Sequence, residues 1–122
     1  MAKVLIIDDD QALLRAMRKI LERWHHEVVE ARDGDEGVRL FRADSFDLVV
    51  TDLIMPGKEG IETIIELREE FPDVRILAVS GGFSMDKTGP LHDAEALGAD
   101  ASLPKPFSIQ DFVEAVTRLL EE

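Results

Sequence analysis

Acidic side chains follow two of the apolar segments of this chain. Residues 8–10 are three consecutive aspartates directly after the apolar residues 4–7, and Asp52 follows residues 48–51, an apolar run that ends in a threonine. Carboxylates brought together repel, and two unit charges about 4 Å apart cost roughly 4 kcal/mol at an effective dielectric of 20. A divalent cation relieves that repulsion, and Mg²⁺ prefers hard oxygen ligands while keeping several waters. If the fold brings these aspartates together, they predict a magnesium site.

A hydroxyl and an amine end two further apolar segments. Ser80 follows residues 75–79, and Lys105 lies between two prolines just after the weakly apolar residues 101–103. A carboxylate can accept a phosphoryl group as an acyl phosphate. An ammonium and a hydroxyl then stabilise the phosphoryl oxygens by charge and by hydrogen bonding. Each residue alone is more simply a surface lysine or a turn serine, so their joint position is what favours phosphoryl chemistry.

Two kinds of segment alternate along the chain and must position these residues. Short β-branched runs predict strands at residues 4–7, 28–29, 48–51, 75–79 and 101–103. Helical spacing between them predicts helices, with a glycine-rich loop at residues 80–90 and a short, weakly patterned helix at about 92–97. In the first helix one apolar face carries Leu13, Leu14, Met17, Ile20, Leu21 and Trp24. Trp24 and the Phe residues at helical spacing are expected in the core. Helix caps are predicted at Asp10, at Asp33 with Glu36, and at Ser108 with Asp111.

Five strands alternating with five helices predict an α/β fold with a parallel sheet covered on both faces. Right-handed crossovers favour the flavodoxin-like doubly wound (βα)5 form, with strand order 2-1-3-4-5. In such sheets ligands bind at the carboxyl ends of the strands, where the winding switches between strands 1 and 3. Residues 8–10 and Asp52 follow strands 1 and 3 at that point, so this fold predicts that their carboxylates lie close together.

Composition limits the possible functions. The chain has 122 residues, which fits one domain over residues 1–122, and it has no cysteine for a disulfide or a thiolate metal site. Its formal net charge is −12, so we expect no direct binding to nucleic acid by this chain. No apolar run approaches the roughly 20 residues that cross a bilayer. We therefore expect a cytoplasmic protein that does not associate with membranes. As a separate expectation, the chain is a monomer or weak dimer.

Four motifs together resemble the receiver domain of two-component response regulators, the CheY-like superfamily. They are VLIIDD at 4–9, DLVVTDLIMPG at 47–57, VSG at 79–81 and GADASLPKPF at 98–107. The resemblance covers nearly the whole chain and implies that Asp52 is the phosphoacceptor. It also implies that Ser80 is the switch hydroxyl, that Lys105 contacts the phosphoryl group and that the peptide bond from Lys105 to Pro106 is cis.

The same resemblance implies a metal site and partners. Asp8 and Asp9 would be the acidic pair for Mg²⁺, with Asp9 the direct ligand and Asp8 acting partly through water. Asp52 and the backbone carbonyl of Ile54 would complete the protein ligands. A histidine kinase or a histidine phosphotransfer protein would donate the phosphoryl group, and an effector protein or domain would receive the output. Such a domain catalyses only its own phosphorylation and dephosphorylation.

The sequence departs from the family pattern in two places. Ser102 occupies the position, three residues before the lysine, where the family commonly has an aromatic residue, so a rotating aromatic cannot carry the signal. The glycine-rich loop after Ser80 also looks longer than usual. We therefore hypothesise that rearrangement of this loop, drawn in by a bond from Ser80 to the phosphoryl group, replaces the aromatic relay.

Three other features leave alternatives open. Asp8 and Asp10 form the Asp-x-Asp of haloacid-dehalogenase-type phosphatases, but Gln11 and Ala12 replace the small turn expected after it, and no cap domain fits. A flavin-binding module of the same fold would need a glycine- or hydroxyl-rich phosphate loop after strand 1, which is absent. The first helix carries a basic stripe of Arg15, Arg18, Lys19 and Arg23, which is either a solvated face or a docking surface for an acidic patch on the phosphodonor protein.

Overall fold

The computed structural model describes residues 2–53, 60–81 and 98–121. Its elements, in chain order, are β1 Lys3–Ile7, α1 Gln11–Arg23, β2 Glu27–Ala31, α2 Gly34–Ala43, β3 Leu48–Asp52, α3 Gly60–Glu70, β4 Ile76–Gly81, β5 Ala101–Lys105 and α4 Ile109–Glu121. The strands form one parallel sheet of order β2-β1-β3-β4-β5. The flavodoxin-like prediction is therefore confirmed. The helix predicted at about residues 92–97 lies outside the described residues.

The sheet separates two hydrophobic cores, because alternate residues of each strand point to opposite faces. Val4 and Ile6 of β1 pack with α1 and α4, whereas Leu5 and Ile7 pack with α2 and α3. Both faces are therefore covered by helices. Residues 4–7 of β1 and 48–50 of β3 are continuous apolar runs because neither face of these strands meets water.

Helix α1 ends earlier than its apolar pattern indicates. Asp10 caps its start as predicted, accepting from the backbone N–H groups of Ala12 and Leu13 at 3.0 and 3.2 Å. The prediction that Trp24 is a core residue is wrong, because 57% of its surface is exposed. The helix stops at Arg23, and His25 then adopts a φ of 68°, which turns the chain. Helical spacing applies only within the helix, so Trp24 leaves the buried stripe.

The other predicted caps are present. Asp33 accepts from the N–H of Glu36 at 2.8 Å, and the Glu36 carboxylate accepts from the N–H of Arg32 at 2.8 Å. Ser108 accepts from the N–H of Asp111 at 3.0 Å. The bonds to Asp33 and Ser108 satisfy backbone donors that the first turn of a helix leaves without partners, whereas the bond from Arg32 holds the residue that precedes the cap of α2.

The strands β3, β4 and β5, which carry candidate site residues, extend further at their carboxyl ends than predicted, as does β2. β3 includes Asp52, β4 runs through Ser80 to Gly81, and β5 runs to Lys105. Pro104 can lie within β5 because that strand is at the edge of the described sheet, where one side of the backbone needs no ladder partner. The side chains of Asp52, Ser80 and Lys105 are therefore carried by paired strands and not by loops. Within the described ranges, no helix combines the length and apolar character needed to cross a membrane.

Candidate functional site

The adjacent strands β1 and β3 bring three carboxylates together. Ile7 pairs with Thr51, so the residues that follow each of them lie at the same level of the sheet. One carboxylate oxygen from each of Asp8, Asp9 and Asp52 lies within 4.8 Å of the others, and we refer to these residues as the acidic cluster. Asp8 is fully buried and Asp52 is 5% exposed, whereas Asp9 is exposed. The cluster thus opens to solvent on the Asp9 side.

Asp8 is fixed by bonds to both of its carboxylate oxygens. Oδ1 accepts from the N–H of Asp10 at 2.9 Å, and Oδ2 accepts from Nζ of Lys105 at 2.9 Å. The backbone N–H of Asp8 donates to the carbonyl of Ala31 at 3.1 Å. This bond joins the segment between β1 and α1 to the end of β2. This buried carboxylate is therefore oriented before any ligand binds.

Lys105 reaches the acidic cluster from the far strand of the described sheet. Its Nζ lies 2.9 Å from Oδ2 of Asp8 and 3.4 Å from Oδ1 of Asp52. Burial lowers the pKa of the ammonium, but the hydrogen bond and charge attraction of Asp8, followed by those of Asp52, outweigh burial and leave that pKa above its usual value. Lys105 thus stays charged beside the two buried aspartates. The bond to Pro106 is cis, as the resemblance implied.

Ser80 is a buried hydroxyl near the same strand ends. It follows Val79, which pairs with Asp52, and it pairs with Pro104 of β5. It is 1% exposed, and its Oγ has no hydrogen-bond partner among the described residues. Since buried hydroxyls are nearly always bonded, this one is a donor and acceptor available to a group that enters the crevice.

Two parts of the sequence prediction concern residues that the structure does not describe. Ile54 and most of the glycine-rich loop lie outside the described residues, so the carbonyl ligand and the loop hypothesis stay predictions. Amide exchange between Gly81 and Leu97 that is unchanged on phosphorylation would contradict the loop hypothesis. Ser102 lies in β5, half-buried and opposite Ala78, where its small side chain leaves no aromatic ring to rotate.

Gly60 is a site residue that the sequence reasoning missed. Its N–H donates to the carbonyl of Leu53 at 3.1 Å, which brings the start of α3 against the end of β3. A Cβ at this position would lie 2.0 Å from the carbonyl oxygen of Asp52 and 2.6 Å from Cα of Leu53. The available sign in the sequence was a glycine at the start of a predicted helix shortly after the acidic strand end. Its meaning depends on a close approach that spacing alone does not show.

The donor set of the acidic cluster fits Mg²⁺. The ligands on offer are carboxylate oxygens, which are hard, and one of the three residues faces solvent and so leaves room for waters. Among the described residues, the three carboxylates lie beside the single ammonium of Lys105, so the described part of the site carries more negative than positive charge. A divalent cation would offset that excess.

Comparisons with known proteins agree with this geometry. A family model described as the response regulator receiver domain matches residues 4–117. The transcriptional regulatory protein CpxR of Escherichia coli (strain K12) is 35% identical over 120 residues, which cover 98% of this chain and 50% of CpxR. ResD of Bacillus subtilis (strain 168), also a transcriptional regulatory protein, is 34% identical over 118 residues, covering 97% of this chain and 48% of ResD. The chain spans about half the length of the curated relatives it matches.

Solved structures give the same result. The chemotaxis response regulator CheY4 of Vibrio cholerae superposes with a TM-score of 0.87 at 28% identity, covering 98% of both chains. A response regulator receiver domain protein from Clostridium thermocellum superposes with a TM-score of 0.89 at 29% identity, covering 99% of this chain and 95% of the other.

Proposed function

Because the chain belongs to the response regulator receiver domain family, we propose that it is a phosphorylation switch in which Asp52 accepts the phosphoryl group. The observation that carries the proposal is the place of Asp52. This carboxylate is nearly buried at the carboxyl end of a central strand, within reach of two other aspartates and of the Lys105 ammonium. We further propose that residues 1–122 form one receiver domain, since both cores are built on the two faces of one sheet.

The acidic cluster would hold Mg²⁺. Asp9 is exposed and suits a direct ligand, whereas both oxygens of Asp8 already accept bonds, which suits contact partly through water. Asp52 would be the third carboxylate ligand, and the resemblance adds the carbonyl of Ile54. When bound, the ion supplies positive charge that stabilises the oxygens of the transferring phosphoryl group.

The chemistry of transfer follows from the residues present. A carboxylate oxygen of Asp52 attacks phosphorus, and the bond between phosphorus and the histidine nitrogen of the donor breaks, leaving an acyl phosphate on Asp52. Lys105 keeps its proton throughout and balances the added negative charge. Attack by water on phosphorus later releases inorganic phosphate and restores the carboxylate.

Ser80 is suited to report the phosphoryl group. Its Oγ lacks a partner within the described ranges, so a hydrogen bond to a phosphoryl oxygen would satisfy a buried hydroxyl that is otherwise unpaired. The stabilisation from this hydrogen bond is larger in the phosphorylated state, so it would bias a conformational equilibrium that exists before phosphorylation. The rearranged segment would be the glycine-rich loop that the sequence predicts at residues 80–90.

The phosphatase alternative loses support from the position of Asp10. Its side chain accepts from two N–H groups at the start of α1, so it caps the helix and is not aimed at a substrate beside Asp8. The family is one of signalling domains. We expect negligible turnover of a generic phosphate ester, and the lack of a yellow chromophore would exclude the flavin alternative.

The partners proposed are those the family implies. A histidine kinase or histidine phosphotransfer protein would donate the phosphoryl group, and an effector protein or domain would be controlled by it. CpxR and ResD are transcriptional regulatory proteins, so control of transcription through another domain or protein is one form this output could take. The absence of direct nucleic-acid binding, the cytoplasmic location and the monomeric or weakly dimeric state stay predictions.

Intact-mass measurement with acetyl phosphate and Mg²⁺ tests the proposal. We expect a gain of about 80 Da, one phosphoryl group, on the wild-type chain and none on Asp52→Asn, since an amide is not a nucleophile for this reaction. Omitting Mg²⁺ should slow the gain. An adduct that persists in Asp52→Asn would reject Asp52 as the acceptor.

A further inference from the structure

The Arg68 side chain of α3 joins several parts of the chain at the end of the sheet opposite the acidic cluster. Nε donates to the Gly98 carbonyl at 3.1 Å, and Nη2 donates to the same carbonyl at 2.6 Å and to Oδ2 of Asp100 at 2.8 Å. Nη1 donates to the carbonyls of Pro72 and Val74 at 2.9 and 2.7 Å. A guanidinium has five N–H groups in a rigid plane, so these bonds use its full donor capacity.

Asp100 connects Arg68 to the starts of β4 and β5. Its Oδ2 accepts from the N–H of Ile76 at 2.8 Å, and its own N–H donates to the carbonyl of Ile76 at 2.9 Å. These bonds align the residue before β5 with the first residue of β4. The register that starts here continues to the far end of both strands, where Ser80 pairs with Pro104 and Gly81 pairs with Lys105.

β5 depends on such an attachment more than the inner strands do. It lies at the edge of the described sheet and pairs with β4, and all of its residues are only partly buried. Just before it, Gly98 has a φ of +132°, and a Cβ there would lie 3.3 Å from Cγ of Arg68. The chain therefore enters β5 through a turn that only glycine readily adopts and that Arg68 covers closely.

We propose that Arg68 is a positioning residue for phosphoryl transfer. By holding the start of β5 to α3 and β4, it sets the register that places the Lys105 ammonium 2.9 Å from Asp8 and 3.4 Å from Asp52. The inference rests on the proposed function of Asp52. The arginine touches none of the reacting groups and acts through the strand that carries Lys105.

The test compares Arg68→Ala and Arg68→Lys with wild type and with Arg42→Ala. Arg42 is a matched control because it also bonds across a helix pair, to Glu66 and Glu70 of α3, without touching β5. The rate of Asp52 phosphorylation by acetyl phosphate with Mg²⁺ is followed by intact mass, and backbone amide exchange in β5 is measured without phosphodonor. The rate is measured again in a Lys105→Met background.

We expect Arg68→Ala to slow phosphorylation about 10- to 100-fold, the range for a catalytic group displaced by about 1 Å, and to speed amide exchange in β5. Arg68→Lys should fall between, since one ammonium cannot reach all the acceptors. In the Lys105→Met background Arg68→Ala should change the rate by less than about twofold, because two residues acting through one group are not additive. Arg42→Ala should match wild type in both measurements.

Other results would overturn the inference. If Arg68→Ala keeps the wild-type phosphorylation rate and the wild-type amide exchange in β5, the positioning role of Arg68 is rejected and the proposed function is not. Equal slowing by Arg68→Ala with and without Lys105 would also reject that role, because it indicates a general loss of stability. A wild-type chain that takes no phosphoryl group would reject the proposed function and this inference with it. If Arg68→Ala does not fold, Asp100→Asn replaces it, because that variant keeps an acceptor for the Ile76 N–H while removing the charge that Arg68 binds.

Discussion

At the scale of single residues, the proposed phosphoacceptor Asp52 lies among groups that leave its carboxylate little freedom to move. Asp8 bonds Lys105 on one side and the start of α1 on the other, so two strands and a helix meet at one carboxylate. Asp52 has Gly60 against its backbone and Lys105 near its side chain. Such pre-organisation matters because phosphoryl transfer is catalysed chiefly by positioning and charge.

We predict that Gly60→Ala weakens both stability and phosphorylation. The new methyl group would meet the Asp52 carbonyl oxygen at 2.0 Å, so the end of β3 or the start of α3 must move. Overpacking of this kind costs about 1–3 kcal/mol, which denaturant unfolding would measure. Acyl-phosphate formation should slow at the same time.

A matched control for Gly60→Ala is Gly37→Ala, where the added methyl group meets the flexible Ile7 side chain at 2.3 Å and not a backbone atom. That variant should lose stability with a smaller change in phosphorylation rate. Equal rates for wild type and Gly60→Ala would contradict the prediction.

At the scale of elements, one arginine in the basic stripe of helix α1 has a structural role that the rest of the stripe lacks. Arg18 bonds the carbonyl of Val28 at 3.0 Å and pairs with Glu22 and Glu30, so it fastens α1 to β2. Arg15, Lys19 and Arg23 are exposed and make no ion pair with any described residue. The part of the stripe open to a partner therefore excludes Arg18.

We predict that Arg15→Glu with Lys19→Glu slows phosphotransfer from the cognate donor protein by about tenfold, because steering by charge changes association rates by 10- to 1000-fold. Phosphorylation by acetyl phosphate should not change, since that donor needs no docking surface. Both rates are read by intact mass.

The control for this charge reversal is Arg39→Glu with Arg118→Glu, which makes the same change in net charge on other exposed helical positions. A solvated stripe without a partner would give equal protein-donor rates for the two double variants.

At the scale of the whole molecule, the charge of −12 and the packing of acids at one end of the sheet work against the folded state. The acidic cluster is the part of this cost that a cation can remove. Burial of Asp8 and Asp52 makes their repulsion stronger than that of surface carboxylates.

We predict that Mg²⁺ raises the melting temperature of the wild-type chain and that a chelator reverses this. A ligand at 100 times its dissociation constant stabilises by about 2.7 kcal/mol. Asp9→Asn should respond much less, because it removes the exposed ligand. Asp73→Asn, which changes an exposed acid before β4, should respond as wild type does. A full response in Asp9→Asn would place the ion elsewhere.

We also predict a loss of stability at mildly acidic pH that depends on His26. Its Nδ1 accepts from the N–H of Ala2 at 3.3 Å, and burial is the main cause that lowers its pKa below 6.5. The unfolded chain then binds a proton more readily than the folded one. The stability from neutral His26 is complete above pH 6.5 and is lost as the pH falls towards the folded-state pKa.

His26→Asn should remove this dependence, because an amide oxygen can accept the same bond and does not titrate. Between about pH 7 and about pH 5 the wild-type melting temperature should fall relative to that of the variant, by a few degrees at most. His25→Asn is the control, since His25 is exposed and asparagine tolerates its positive φ. Parallel curves for wild type and His26→Asn would contradict the prediction.

Local patterns in the sequence determined most of the elements and their order. Alternating strands and helices gave the flavodoxin-like sheet, and the caps at Asp10, Asp33 and Ser108 lie where side chains bond to their own next turn. The meeting of Asp8, Asp9 and Asp52 was also predictable, because parallel strands end at the same edge of a sheet. These inferences need only the chain direction and the order of strands.

Tertiary structure alone decided what depends on distances between distant segments or on where an element stops. Trp24 is exposed because α1 ends one residue before it, and no periodicity marks that end. Arg18 is structural because β2 and Glu30 lie beside it, and Gly60 is required because a carbonyl of β3 approaches it. Arg68 and Lys105 act at opposite ends of β5, a link that exists only through strand register. Residue spacing shows which side chains are neighbours within one element, whereas these contacts depend on packing between segments that are far apart in the sequence.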